Sequence, residues 1–364
     1  MTKENRYLDF LVTCLGERET RSPPDRSRPW SWDRLIQIAA DEKVLSTLHD
    51  ALTRLALAQE IPADVANLFL TVKEANCERN RRILSELKWI CVLFNRNGIE
   101  PIVLKGAAHL LSGIYPSLSA RFLADLDLLL PESAFPAAVE ILKSNGYRCN
   151  CAHPVEATVG HAYPALWRPH CVEIDLHRSL GLRSCPRLLP SSEVVSHSVM
   201  QDFEGVRLRV PSPEHLVVHQ IMHSQIHDFY RERIRPSLRT MYDVVLLQRR
   251  FGCDIDWPAI EARFRRNGHY AALALYLRQV ERTFRVASPL PLRIQGVSRL
   301  RWWRRVLLRR LPFLKYVDPR YLFMAGLKPR TPLDEVLRVP GGWKYLLAKA
   351  FMKSSYARRL ARVR

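Results

Sequence analysis

The chain has 364 residues, 47% of them hydrophobic, and a formal net charge of +20. That length allows two or three domains with a sizeable core, and no apolar run approaches the roughly 18 residues of a membrane span. Acids interrupt the apolar part of the first 19 residues, MTKENRYLDFLVTCLGERE, against the pattern of a signal peptide, and eight cysteines at irregular spacings without Cys-x-x-Cys indicate neither a zinc site nor a disulfide framework, so the expected setting is cytoplasmic with reduced thiols.

In chain order, the first predicted helix covers residues 7–15. A Pro-rich loop over 21–28 follows, which cannot continue it. Ser31 is a candidate N-cap for a helix that places Trp32, Leu35, Ile36 and Ala39 at helical spacing. Further helices are expected over 45–58, 62–76 and 79–96, the last stopped by Asn97-Gly98.

The stretch from 102 to 130, IVLKGAAHLLSGIYPSLSARFLADLDLLL, carries the chemistry. The apolar run 102–104 reads as a buried strand entering a tight turn at Lys105-Gly106, with a short helix over 107–114. A second strand over 124–130 alternates Asp125 and Asp127 with leucines, so both carboxylates fall on one face. Like charges so close raise each other's pKa unless a cation sits between them. Oxygen ligands at this spacing suit Mg²⁺, which keeps water and phosphate oxygens in its shell. The turn at Lys105-Gly106 adds phosphate contacts. A crossover helix over 131–145 and strands over 147–151 and 161–167 lead to a third acidic strand, 171–176, followed by His177. Glu173, Asp175 and His177 share one of its faces. Cys149 and Cys151 share a strand face and read as packing. The predicted core is thus a small mixed sheet with helices against one face.

From residue 211 the pattern is helical again. His215, His219, His223 and His227 recur every four residues and form one stripe. A transition-metal site, contacts to a nucleotide or acceptor, and plain helix packing all fit that spacing. Asp243, the single acid on the apolar face of a helix over 238–248, calls for an Arg or His partner. The tail is set apart by charge: residues 291–364 hold 19 Lys and Arg against three acids, and so +16 of the +20. Segments 298–311 and 342–363 are basic amphipathic helix candidates, the second suited to an anionic surface or polyanion; peripheral attachment at an inner membrane surface follows from that, and no nucleic-acid motif is present.

Lys105-Gly106, Arg121, Asp125-x-Asp127 and Asp175-x-His177 together resemble the nucleotidyltransferase superfamily that shares the DNA polymerase β palm. The likeness is closest to an uncharacterised bacterial group within it. Trp32, Leu35 and Ala39 extend the likeness over roughly residues 30–285. Gly106-Ala107 stands where the superfamily usually has Gly-Ser or Gly-Gly, removing a hydroxyl contact to phosphate. The resemblance implies an α+β fold with a polymerase β-like mixed sheet, and four regions: helices over 1–98, a nucleotidyltransferase core over 99–211, a helical domain over 212–290 and the basic tail.

The same resemblance implies two-metal Mg²⁺ chemistry, with Asp125, Asp127 and Asp175 as catalytic and metal-binding carboxylates and Glu173 as the competitor for the third place. Lys105, Gly106, Arg121 and His177 would bind the nucleotide. The donor would be an NTP, by abundance ATP, and the acceptor a hydroxyl of a small molecule, peptide or protein. Two other readings stay open: a regulatory protein that kept the nucleotide fold, and a transferase using a nucleotide-activated sugar.

Overall fold

The computed structural model describes residues 3–16, 30–55, 61–149, 162–180, 185, 187–227 and 236–293. The tail segments 298–311 and 342–363, the loop 21–28 and Cys151 lie outside the described residues. The chain divides into two compact units, one of Met1–Gln225 with Pro236–Ile294 and one of Ile226–Arg235 with Gln295–Arg364. The fold below is that of the first.

Four helices lead in: α1 (Lys3–Gly16), α2 (Trp32–Asp41), α3 (Leu45–Arg54) and α4 (Ala63–Asn95). Ser31 caps α2 as its sequence suggests, its side chain accepting a hydrogen bond from Arg34 N at 3.2 Å. α4 runs for 33 residues where the sequence suggests two helices. It contains no Gly or Pro, and Asn76, Arg79 and Asn80, around the gap expected at 77–78, are occupied with a neighbouring loop. Asn97-Gly98 ends it, Gly98 taking the left-handed φ of 69°.

The sheet has seven strands in the order β3-β4-β5-β2-β1-β7-β6. They are β1 (Ile102–Val103), β2 (Leu126–Leu129), β3 (Arg148–Cys149), β4 (Leu166–Trp167), β5 (Ile174–His177), β6 (Val199–Phe203) and β7 (Val206–Val210). β2 lies antiparallel to β1 and parallel to β5; β1 lies parallel to β7, and the remaining pairs are antiparallel. The result is an α+β fold on a mixed sheet.

Ile102, Val103, Leu126, Leu128, Leu129, Ile174 and Leu176 are all fully buried, each stabilising the fold by about 1.5–3 kcal/mol. All four residues of β2 are buried, so both faces of the sheet are covered there, not one. The predicted strands are trimmed at their ends, which leaves Asp125 just ahead of β2 and Glu173 just ahead of β5. α5 (Lys105–Leu111) follows β1, and α6 (Phe135–Ser144) forms the crossover after β2.

β6 and β7 form a hairpin that the sequence reading passes over. Its signal is present: Glu204-Gly205, both at positive φ, separates Phe203 from the alternating Val206, Leu208 and Val210. Among the described residues five more helices follow: α7 (Ser191–His197), α8 (Pro213–Met222), α9 (Leu238–Phe251), α10 (Trp257–Arg266) and α11 (Tyr270–Phe284). Among the described residues no helix is long and apolar enough to cross a membrane.

Candidate active site

The centre of the sheet brings the chemistry-bearing residues together by register. In the parallel pair β2–β5, Asp127 sits opposite Asp175 and Leu129 opposite His177. Opposed residues of a parallel pair face the same side, and so do residues two apart on one strand. Asp127, Asp175 and His177 therefore share a face. One ligand atom from each lies within 4.8 Å of the other two, and this is the one such group among the described residues.

The approach to β2 is fixed by α4. Asn76 Nδ2 donates to Ser119 O at 2.6 Å, and Asn80 Nδ2 donates to Leu118 O and Arg121 O at 2.6 Å each. Arg79 Nε donates to Leu123 O at 2.8 Å. Four backbone carbonyls of the loop ahead of β2 are thus satisfied, at about 1 kcal/mol each.

Asp127 is only 2% exposed. Its Oδ1 accepts from Lys105 Nζ at 2.6 Å and from His177 Nε2 at 2.8 Å, so His177 carries a proton on Nε2. Burial by itself would raise the Asp127 carboxyl. The Lys105 charge and the two hydrogen bonds outweigh it and hold the carboxyl well below the usual carboxylate range. Its neighbours shift the other way. Asp175 is raised by burial and then by the Asp127 charge, and Asp125 is raised by the same two causes in the same order. Lys105 remains protonated despite burial, because Asp127, Asp125 and Asp175 all attract it. The backbone at Lys105 is left-handed, with φ 50°, a strained setting for a side chain with a Cβ.

The centre thus holds three carboxylates, two of them disfavoured in their charged form, with Lys105 as the cation bonded to the buried Asp127. That surplus of oxygen ligands and negative charge, with an imidazole beside it, fits a divalent cation. Asp127, Asp175 and His177 are the residues that would hold it. The expected trio was Asp125, Asp127 and Asp175. Asp125 stands outside the ligand group, and His177, expected at the nucleotide, is inside it. Glu173 is exposed and precedes the strand, so Asp175 is the carboxylate facing Asp127.

Arg121, expected at the triphosphate, has a buried guanidinium that donates from Nε and Nη2 to the two oxygens of Asp243 at 3.0 Å each, and from Nη1 to Phe122 O at 2.7 Å. Asp243 also accepts from Tyr115 Oη at 2.5 Å and faces His109 Nδ1 at 3.5 Å. This is the partner that the lone acid on α9 required. Gly106, also expected at the nucleotide, packs inward. A Cβ there would stand 2.6 Å from Leu123 Cδ2 and 3.4 Å from the Arg121 guanidinium carbon.

The histidines of the stripe have different partners. His215 Nε2 lies 3.3 Å from Glu193 Oε1, and Arg263 holds the same carboxylate. His219 is buried; its acidity is shifted toward the neutral imidazole first by burial, then by His223, Lys105 and His177, with Asp127 opposing. It therefore belongs electrostatically to the acidic centre. Its ring meets that of His223 edge-on at 6.3 Å.

The chain is similar in structure to an antigenic nucleotidyltransferase-like protein from Paracoccidioides brasiliensis, at 15% identity, over 59% of this chain and 92% of that one, with a TM-score of 0.31. No curated protein matches the chain. A family model described as an uncharacterised nucleotidyltransferase matches residues 29–285, well over half of the sequence, and includes every residue of the acidic centre. The chain belongs to this uncharacterised nucleotidyltransferase family.

Proposed function

We propose that the chain is a Mg²⁺-dependent nucleotidyltransferase of the polymerase β type. It would transfer a nucleoside monophosphate from an NTP, by default ATP, to a hydroxyl of an acceptor. The observation that carries this reading is the register of Asp127 with Asp175 and His177, which sets three ligand atoms within 4.8 Å beside a surplus of negative charge.

The cation, when bound, would supply charge neutralisation for the phosphates and orientation of the reacting oxygens. The side chains do the rest. Asp127 is kept ionised by Lys105 and His177 and so remains a ligand over the whole physiological range. Asp175, opposite Asp127 in the parallel pair, would accept the proton of the acceptor hydroxyl. The acceptor oxygen then forms a bond to Pα, the bond from Pα to the bridging oxygen breaks, and the electron pair leaves on pyrophosphate. His177, the third member of the ligand group, also fixes the orientation of Asp127 through the contact of its Nε2 with Asp127 Oδ1.

The test uses purified full-length protein with each α-labelled NTP, Mg²⁺ and a cell extract as acceptor source. Label should pass to an acceptor in the wild type and not in Asp127→Asn or Asp175→Asn. Transfer undiminished by both substitutions would overturn the reading.

A further inference from the structure

The sheet ends on β6, which pairs with β7 and with no other strand among the described residues. The bonds made by β7 show which backbone groups of β6 are open. Arg207 N donates to Asn95 Oδ1 at 2.8 Å, Arg207 O accepts from Asn95 Nδ2 at 2.9 Å, and Arg209 N donates to Pro101 O at 2.9 Å. The backbones of Arg207 and Arg209 thus point away from β6. In an antiparallel pair, opposed residues alternate between those that exchange both backbone bonds and those that exchange none. Met200 opposes Arg209 and Asp202 opposes Arg207, so these are the pairs that exchange none. The N–H and C=O of Met200 and Asp202 therefore face outward, and among the described residues nothing meets them.

The side chains along this edge are apolar where edge strands are usually guarded by charge or proline. Val199 is 61% exposed and Met200 41%. Val199 opposes Val210 and Phe203 opposes Val206, and both valines of β7 are buried. Val199 thus continues a core-facing row and is bare because no further strand stands on its outer side. Asp202 is a weak guard, since its Oδ1 turns to the hairpin and accepts from Gly205 N at 3.1 Å.

We propose that β6 is the two-fold contact of a homodimer, pairing antiparallel with β6 of a second copy about Gln201. The strand's own symmetry selects a second copy. Met200 and Asp202 stand one on each side of Gln201, so a copy turned by a half-rotation sets its Asp202 opposite Met200 and its Met200 opposite Asp202. Each of these pairs exchanges two N–H···O=C bonds. The same turn brings Phe203 of the second copy beside Val199, and the buried row of Val210 and Val199 runs on into Phe203 and Val206 of that copy, the kind of cross-strand apolar pair that stabilises sheets. Such a contact is isologous and closed. With one strand from each copy it is smaller than the roughly 1,600 Å² of a standard interface, and association in the micromolar range follows.

Sedimentation velocity on the full-length protein tests this: the mass should pass from one chain to two across about 1–100 µM. Met200→Pro removes an outward N–H and leaves the ladder to β7 intact, because edge strands accept proline where the N–H faces solvent. It should weaken association ~10-fold or more, for two backbone bonds lost per dimer, and the dilute protein should melt as wild type does. Val199→Lys is the second variant, placing a charge on the edge, and should also weaken association. Gln201→Cys tests the register. Opposed Cα atoms in a pair that exchanges no bonds stand about 4.5 Å apart, within disulfide reach, so mild oxidation should give far more reducible covalent dimer than it does from wild type. A single-chain mass at every concentration overturns the proposal, as does association unchanged in both Met200→Pro and Val199→Lys. Association without that extra cross-link in Gln201→Cys places the contact on another surface and overturns it as well.

Discussion

Asp127 and Asp243 invite comparison, because by most local measures they are alike. Both are aspartates at 2% exposure or less, both contact a cation, and both are held well below the usual carboxylate range against the opposing effect of burial. They differ in what stands around the pair. Asp243 meets a bidentate Arg121, the Tyr115 hydroxyl and His109, with no second carboxylate among the causes of its shift. Its charge is matched by a bidentate guanidinium. Asp127 shares one lysine with Asp125 and Asp175, both raised. A buried ionised acid therefore does not mark a site; an unbalanced group of them does.

The sharpest way to break this comparison is activity. Asp127→Asn should lower nucleotidyl transfer by at least ~10²–10³-fold, the range for loss of one group that stabilises developing charge. Asp243→Asn should leave the rate per folded molecule within about threefold. Single-turnover transfer at low temperature, corrected for folded fraction, checks both. Equal losses would mean the two acids act as one unit.

Stability should reverse the order. Asp243→Asn leaves Arg121 buried with its charge unmatched, at a cost of about 3–5 kcal/mol. Arg121→Met should cost a similar amount, and the double substitution clearly less than the sum, as members of one pair do. Without metal, Asp127→Asn should cost far less than Asp243→Asn, since it relieves repulsion on Asp125 and Asp175 while weakening the Lys105 contact. Denaturant titrations of the four proteins settle the ranking.

The pH dependence sharpens the contrast further. The folded-state pKa of Asp175 is raised, so its favourable contribution is complete below the unfolded carboxylate value of ~3.9 and is lost as pH rises through the folded value. At pH 7 its ionised form is a burden. Asp175→Asn should then melt higher than wild type in metal-free buffer at pH 7, and the gain should fade as pH drops below about 4. Asp243 has the opposite sign: its contribution is present above the unfolded value and lost as pH falls toward its depressed folded value. The deficit of Asp243→Asn should therefore shrink only under strongly acid conditions. Saturating Mg²⁺ should erase the Asp175→Asn advantage by stabilising the wild type.

Sequence patterns reached this site unevenly, for physical reasons. Strand parity reads a face directly, so Asp125 could be grouped with Asp127, and Asp175 with Glu173 and His177, before any register was known; parallel pairing then set Asp127 opposite Asp175. Ion pairs across the fold leave no such mark. Asp243 on an apolar face announces a need for a partner, but Arg121 lies 122 residues away, and only packing reveals it. Beside an acidic motif, an arginine reads as a phosphate ligand. Asn76, Arg79 and Asn80 were opaque for a related reason: the loop that takes their hydrogen bonds lies far along the chain.

The smallest expected effect tests whether the two acids are mechanically joined. Gly106 stands between them: it follows Lys105, which holds Asp127, and faces Arg121, which holds Asp243. A methyl group in Gly106→Ala would meet Leu123 Cδ2 at 2.6 Å and the Arg121 guanidinium at 3.4 Å. The close contact is with the far end of a flexible side chain, so Leu123 can swing aside, and the cost should be at the low end of the ~1–3 kcal/mol for overpacking. The guanidinium has less freedom, because Asp243 and Phe122 O fix it on three sides. If the acids are independent, Gly106→Ala should lose about 1 kcal/mol of stability with transfer reduced only a few-fold through Lys105. If Arg121 shifts instead of Leu123, the Asp243 pair loosens as well. The stability loss would then approach that of Arg121→Met, and Gly106→Ala combined with Arg121→Met would be no worse than Arg121→Met alone. A double-mutant cycle on Gly106 and Arg121, read by denaturant melts and by single-turnover rate, distinguishes the two, and a coupling below ~0.5 kcal/mol assigns the glycine to Leu123 alone.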